Sequence, residues 1–316
     1  MRESEEVKIK IVKKDLLVPY IALSAICIIW GTTYLVLRIA VLHFPPFLFV
    51  TIRQLIAGLL LISFMLISGK AVWPDRAHII RQAIAGFFMI SLGNGLVAWA
   101  EVVIPSGVAA IICSLMPMVV ILINLGVNKE ERPTAAILIG VLLGLGGIMM
   151  IFGEHLAEFS KIEYQVGILV IFVAVLSWAG GSVWLKKRSN DGNAFLNAGL
   201  QMFFGGVWLI PGALLFDDLT RITWTPEAFY SIVYLILIGS VVAYACYSYV
   251  LRKLPMTVVS LYAYVNPIVA VILGWIVLGE KLNLKIGIAI LVTVAGIYIV
   301  NRGYQFGKLW KQQFSR

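Results

Sequence analysis

Few residues in this chain could do chemistry, and most of them lie inside long apolar runs. Arg53 and Gln54 interrupt FLFVTIRQLIAGLLLISFML, residues 47 to 66. A guanidinium about six residues into such a run sits roughly 10 Å along a helix axis, at 1.5 Å per residue. Facing lipid it would carry a penalty that snorkelling only partly relieves, so Arg53 is expected to face the protein interior or an aqueous cavity. There it either ties its helix to backbone carbonyls or to the Glu101 carboxylate, or it attracts an anionic group of a solute through the fork geometry of guanidinium. Both roles stay open from the residues alone. Glu101, in WAEVV, is the one acidic residue inside a run, near its end. Carboxylates at such depth can carry protons, but pairing with Arg53 or exposure at the interface suits its position better.

Aromatic and amide side chains form the second group. Trp30, Tyr34, Trp99, Trp178, Tyr244 and Tyr262 all fall within apolar runs. AYACYSY, residues 243 to 249, and LYAYVNP, residues 261 to 267, concentrate hydroxyl-bearing rings together with Asn266. Asn94, in SLGNGLVAW, is a second mid-run amide, and Met116 adjoins Pro117. Any one of these can be a packing residue. Together they describe walls suited to a flat, moderately apolar solute, with a few polar groups fixing its orientation. Pro117 and Pro267 each remove a backbone donor near the middle of a run, which predicts kinked helices with freed carbonyls.

The elements that carry these residues follow from composition. Of 316 residues 61% are hydrophobic and 13% charged, against about 45–50% and about 25% in a soluble domain. One soluble core cannot hold that excess. Runs of about 20 apolar residues, enough to span a bilayer, fall near 18–40, 47–68, 82–103, 107–127, 135–152, 166–185, 195–216, 228–250, 257–279 and 284–300. The expected fold is an all-α integral membrane protein with ten transmembrane helices. The first run is too long for a signal-peptide core and is read as a retained helix.

The formal net charge of +9 does not imply nucleic acid, because the bases are asymmetrically placed. With the N-terminus inside, nineteen Lys and Arg fall on cytoplasmic segments and four on external ones. That is the positive-inside pattern, and it puts both termini in the cytoplasm. Arg38 and Lys186 end their helices on opposite faces, where a base complements the helix dipole. Cys27, Cys113 and Cys246 have neither disulfide nor zinc spacing and read as packing residues.

The two halves resemble each other. An offset of 150 residues places Pro105 on Pro255, Pro117 on Pro267, Glu130 on Glu280 and Gly146 on Gly296. Nearer the start of each half an offset of 148 places Trp30 on Trp178, Arg38 on Lys186, Arg53 on Gln201 and Gly58 on Gly206. Five helices per half is an odd number, so the second half enters the membrane inverted. The expected organisation is a basic tail (1–16), a first five-helix repeat (17–153), an inverted second repeat (154–301) and a second basic tail (302–316). Inverted repeats suit carriers, because two similar halves around a midplane site can open it alternately to each side. Gln201, the neutral counterpart of Arg53, makes the two half-sites unequal.

WGTTYLVLRIA, PPFLFVTIRQLIAGLLL, GNGLVAWAEVVIPSGVAAIICSLMPMVVILI and SLYAYVNPIVAVILGWIVLGEKL resemble the drug/metabolite transporter superfamily, specifically its EamA-type ten-helix exporters. The resemblance covers nearly the whole chain. It implies an inner-membrane carrier with a central cavity lined by helices 1 to 4 and 6 to 9, with helices 5 and 10 packing peripherally. It also implies a basic residue in helix 2, matched by Arg53. Relatives of this kind export amino acids, drugs and nucleobases among other solutes.

The expected partners are a small-molecule solute and membrane lipids, with no cofactor or metal, in a monomer or weak homo-oligomer. A membrane-embedded enzyme would need a nucleophile with its base, or a metal cluster. His43, His78 and His155 lie at run edges or in loops, far apart, and no H-E-x-x-H or phosphate-cradling glycine motif occurs. A flippase of a lipid-linked substrate is the nearer rival, although long loops for head groups are lacking.

Overall fold

The computed structural model describes the backbone of residues 2–104, 106–127, 134–152, 161–188, 192–278 and 284–314, and no strand occurs among them. In chain order the helices are α1 (Arg2–His43), α2 (Pro46–Ile67), α3 (Arg76–Ala100), α4 (Ser106–Cys113), α5 (Met116–Val127), α6 (Ala135–Phe152), α7 (Ile162–Arg188), α8 (Ala194–Phe216), α9 (Pro226–Lys253), α10 (Met256–Val259), α11 (Tyr262–Leu278) and α12 (Leu284–Phe314). Six of them, α1 from Leu17 onward, α2, α3, α7, α8 and α9, are each long and apolar enough to cross a membrane. Pro105, Glu130, His155 and Glu280 lie outside the described residues, as do the side chains of residues 2–16 and 304–316.

Local chemistry sets the helix ends. Pro46 occupies the first position of α2, where a missing N–H costs nothing, and the Leu48 N–H donates to the Asp217 carboxylate at 2.6 Å, just past the end of α8. Asp75 caps α3 by accepting from the His78 N–H, Asn193 caps α8, and Thr225 caps α9 ahead of Pro226. Leu254, which precedes Pro255, is extended and stops α9.

Two departures from straight α-helices shape the interior. Residues Phe87–Gly95 of α3 and Leu235–Val242 of α9 are π-helical, and these segments begin 148 residues apart. Wider turns of this kind loosen the backbone ladder and leave carbonyls available to side chains. The runs at 107–127 and 257–279, expected as single kinked helices, are each split in two. The first breaks at Ser114–Leu115, so Pro117 stands in the first turn of α5, where it is tolerated. The second breaks at Ser260–Leu261, and Pro267 lies inside α11.

Small residues bring the helices close. α2 packs along α8, and α6 packs along α12. At the first crossing a Cβ on Gly58 would stand 2.5 Å from the Phe203 backbone nitrogen. At the second, one on Gly140 would stand 2.8 Å from the Gly296 carbonyl, so GVLLGLGG is a close-packing stripe. Around these contacts lies one large cluster of buried side chains drawn from α1 to α5 and α7 to α11, while the α6–α12 pair belongs to a separate smaller cluster.

Gly58→Ala is expected to destabilise the detergent-purified protein by about 1–3 kcal/mol, because the obstructing atoms are backbone. Gly180→Ala, where a Cβ would meet nothing within 4 Å, is the matched control. Thermal unfolding of both variants checks the difference.

Candidate functional site

One cavity draws its walls from both halves of the chain. Trp30 and Tyr34 reach it from α1, Arg53 and Gln54 from α2, Asn94 and Val97 from α3, and Met116 from α5. Trp178 comes from α7, Gly239, Ser240 and Tyr244 from α9, and Tyr262 and Asn266 from α11.

Arg53 is buried, and its guanidinium is held from across the cavity. Nε donates to the Ser240 hydroxyl at 2.7 Å, and Nη2 donates to the Gly239 carbonyl at 3.3 Å. The same carbonyl accepts from the Trp30 indole N–H at 3.2 Å. Gly239 lies in the π-helical part of α9, so one loosened turn supplies an acceptor to α1 and another to α2. Of the two structural roles open to Arg53, backbone anchoring is the one observed. No hydrogen bond joins it to Glu101, and neither oxygen of Glu101 has a partner among the described residues, although its charge lies in electrostatic range of both Arg38 and Arg53.

The aromatic side chains form a contiguous group. Trp30 meets Trp178 edge-on at 5.7 Å between centroids, Tyr262 at 4.8 Å and Tyr247 at 5.3 Å. Tyr244 lies 6.0 Å from Trp178 and stacks on Tyr247 at 5.8 Å. Such spacings are those of attractive edge-to-face and offset pairs. Polar tips fix the rings: the Tyr247 hydroxyl lies 2.7 Å from Ser182 Oγ and accepts from the Trp178 N–H at 3.3 Å. Gly93 makes room for Trp178, since a Cβ there would fall 2.8 Å from the indole.

The amides divide into wall and backing. Asn266 is oriented so that its nitrogen donates to the carbonyls of Cys27 (3.1 Å) and Tyr262 (2.9 Å), which ties α11 to α1. Gln201, expected in the wall, stands behind it. It accepts from the Tyr244 hydroxyl at 2.7 Å and donates to Gln82 at 2.5 Å, and beyond Gln82 the His78 Nε2 lies 3.3 Å from the Gln82 amide nitrogen and 2.7 Å from Asn197 Oδ1. Trp99 is also outside the wall and packs against the buried cluster. Val97 is the cavity-facing residue of that turn, and at about 100° per residue a side chain two positions later points away.

Several lining residues were missed from the sequence. Gly239 and Ser240 carried a faint signal as a small polar pair within LILIGSVVAY. Gln54 was visible beside Arg53 but overshadowed by it, and its Oε1 is buried without a partner among the described residues. Thr33 and Cys113 had no distinguishing pattern. Lys186 lies in the last turn of α7, where a base was expected, and it also donates to the Leu251 and Leu254 carbonyls at the end of α9.

Two serines on α9 give a contrast. Ser240→Ala removes the acceptor of the Arg53 Nε, and a loss of about 1.5–3 kcal/mol is expected for a hydrogen bond to a charged group. Ser248 is buried, and its hydroxyl has no partner among the described residues, so Ser248→Ala is expected to be neutral or stabilising. Melting temperatures of the two purified variants check the sign of each.

Comparison with known proteins agrees with this architecture. A crystal structure of a protein 19% identical in sequence superposes with a TM-score of 0.73, covering 91% of this chain and 97% of its own. The uncharacterized inner membrane transporter YedA of Escherichia coli K12 is 32% identical over 292 residues, 92% of each chain. Protein PecM of Dickeya dadantii is 29% identical, over 81% of this chain and 82% of its own. The uncharacterized transporter YoaV of Bacillus subtilis is 22% identical, over 88% and 95%. The EamA-like transporter family is matched twice along the chain, by residues 17–153 and 165–302. Helices long and apolar enough for a membrane, a cavity built by both matched segments and this double match together make the chain a multi-pass helical membrane protein that belongs to the EamA-like transporter family.

Proposed function

We propose that this protein is a secondary transporter that exports a small metabolite across the inner membrane by alternating access. In this reading ten membrane crossings form two inverted five-helix repeats, the split helices α4–α5 and α10–α11 each counting as one crossing, with both termini in the cytoplasm. The observation that carries it is the cavity, to which the two matched segments contribute comparable parts: Trp30, Tyr34 and Arg53 from one, Trp178, Tyr244 and Tyr262 from the other. A site shared by two similar halves is what a rocking carrier requires. The π-helical segments, 148 residues apart, and the crossing of α2 with α8 at Gly58 and Gly206 support the repeat. The naming of its relative YedA as an inner membrane transporter supports the location, and the concentration of bases on one side supports the orientation.

The solute is a small molecule of the amino-acid, drug-like or nucleobase-like kind. Aromatic rings would sandwich its body, while Arg53, Gln54 and Asn94 would meet its polar groups. Trp30, Tyr34, Met116, Trp178, Tyr244, Tyr262 and Asn266 complete the contact surface in this proposal.

Proteoliposome counterflow with a panel of labelled amino acids, nucleobases and aromatic acids tests the activity. Saturable, competable exchange of at least one solute is expected, falling about tenfold or more in Trp178→Ala, which removes a central ring worth about 1–2 kcal/mol of contact. Linear, non-competable flux would instead mark a channel. Orientation is checked separately: a single cysteine at Lys70 should react with an impermeant maleimide only from the cytoplasmic side, and one at Thr220 only from outside.

A further inference from the structure

Most polar side chains of the cavity wall are already satisfied by the protein. Arg53 is held by Ser240 and Gly239, and the Trp30 indole donates to the same Gly239 carbonyl. Tyr244 donates to Gln201, and the Asn266 amide donates to two backbone carbonyls. Gln54 is different. It lines the cavity from α2 and is only 1% exposed, yet its Oε1 has no hydrogen-bond partner among the described residues.

Polar groups buried in a protein are nearly always hydrogen-bonded, and an unpartnered one calls for an explanation. For Gln54 its position supplies one, because the space beside it is the cavity. No hydrogen bond to Oε1 fixes the terminal torsion, which in glutamine is broad and roughly two-fold. The amide can therefore turn its carbonyl as well as its NH2 toward the cavity. Edge-on, a primary amide offers a donor and an acceptor side by side. The group that complements both at once is another such edge, with N–H and an acceptor adjacent, as when a side-chain amide reads adenine through two bonds. Trp30, Trp178, Tyr244 and Tyr262 line the same space and can pack on a flat body that carries the edge.

Resting on the transporter reading for the cavity being the solute site, we infer that Gln54 determines specificity and that the solute is a planar molecule with a lactam or primary-amide edge, bound to the Gln54 amide by a ring of two hydrogen bonds. The solute N–H donates to Oε1, and its C=O accepts from Nε2. A solute that presents acceptors alone leaves Oε1 unmet and sets two oxygens against each other, so the site discriminates against it.

The test uses two pairs of probes. Quinolin-2-one and coumarin share one shape and differ in a ring N–H replaced by oxygen, and isoindolin-1-one and phthalide differ in the same way. Binding of all four to the full-length, detergent-purified protein is followed by isothermal titration and thermal shift. Each lactam is expected to bind the wild type about tenfold more tightly than its lactone, the order of leaving one buried acceptor unpaired. Gln54→Met keeps a similar length and volume and should bind both members of each pair alike. Without ligand it should melt no lower than the wild type, because no bond to Oε1 within the protein is lost, whereas an amide with a structural role would lower the melting temperature. Equal binding of lactam and lactone, as when water alone meets Gln54, would overturn the inference. So would no binding by any probe, a lactam preference retained in Gln54→Met, or a Gln54→Met protein that melts lower or does not fold. Counterflow of other solutes with no lactam preference would sink this inference while leaving the transport reading intact. Lactam-selective binding without counterflow of any solute would do the reverse.

Discussion

A guanidinium inside a bundle of apolar helices must find partners within the protein, because hydrocarbon provides none. Arg53 finds two of them on α9, at Ser240 and Gly239. The Gly239 carbonyl is accessible because that stretch of α9 is π-helical, and it serves Trp30 as well. One turn of backbone therefore joins α1, α2 and α9 at the cavity. The arrangement of rings follows from it, since Trp30, once anchored, sets where Trp178, Tyr247 and Tyr262 can pack.

The cavity wall is backed by a second polar system. The Tyr244 hydroxyl faces Gln201, and a chain of amides and an imidazole leads from there through Gln82 and His78 to Asn197. These are hydrogen bonds in buried surroundings, stronger there than in water and costly to leave unmade. They tie α3, α8 and α9 together on the side of the cavity away from Arg53.

The contrast between the two regions has a chemical basis. Where the first matched segment places Arg53, the second places Gln201, and the pocket environment differs accordingly. Arg53 lines the cavity, whereas Gln201 lies behind Tyr244. The cavity wall thus has cationic character at Arg53 and a hydroxyl-bearing ring at Tyr244.

Periodicity and composition were enough to make the helical membrane class legible, because lipid demands about 20 apolar residues per crossing whatever the packing. They also pointed to Trp30, Tyr34, Arg53, Asn94, Met116, Trp178, Tyr244, Tyr262 and Asn266, which the structure brings to one cavity. Polar and aromatic groups within such runs have few places to go except inward. Trp99 and Gln201 were less legible, because inward-facing is not the same as cavity-facing, and a rotation of one or two residues separates a wall from its backing. The π-helical turns, the splits at Ser114–Leu115 and Ser260–Leu261, and the choice of Gly239 over Glu101 as the partner of Arg53 were decided only by tertiary structure. Each depends on which carbonyl or side chain a neighbouring helix presents at that depth, and a single chain segment does not encode its neighbour's register.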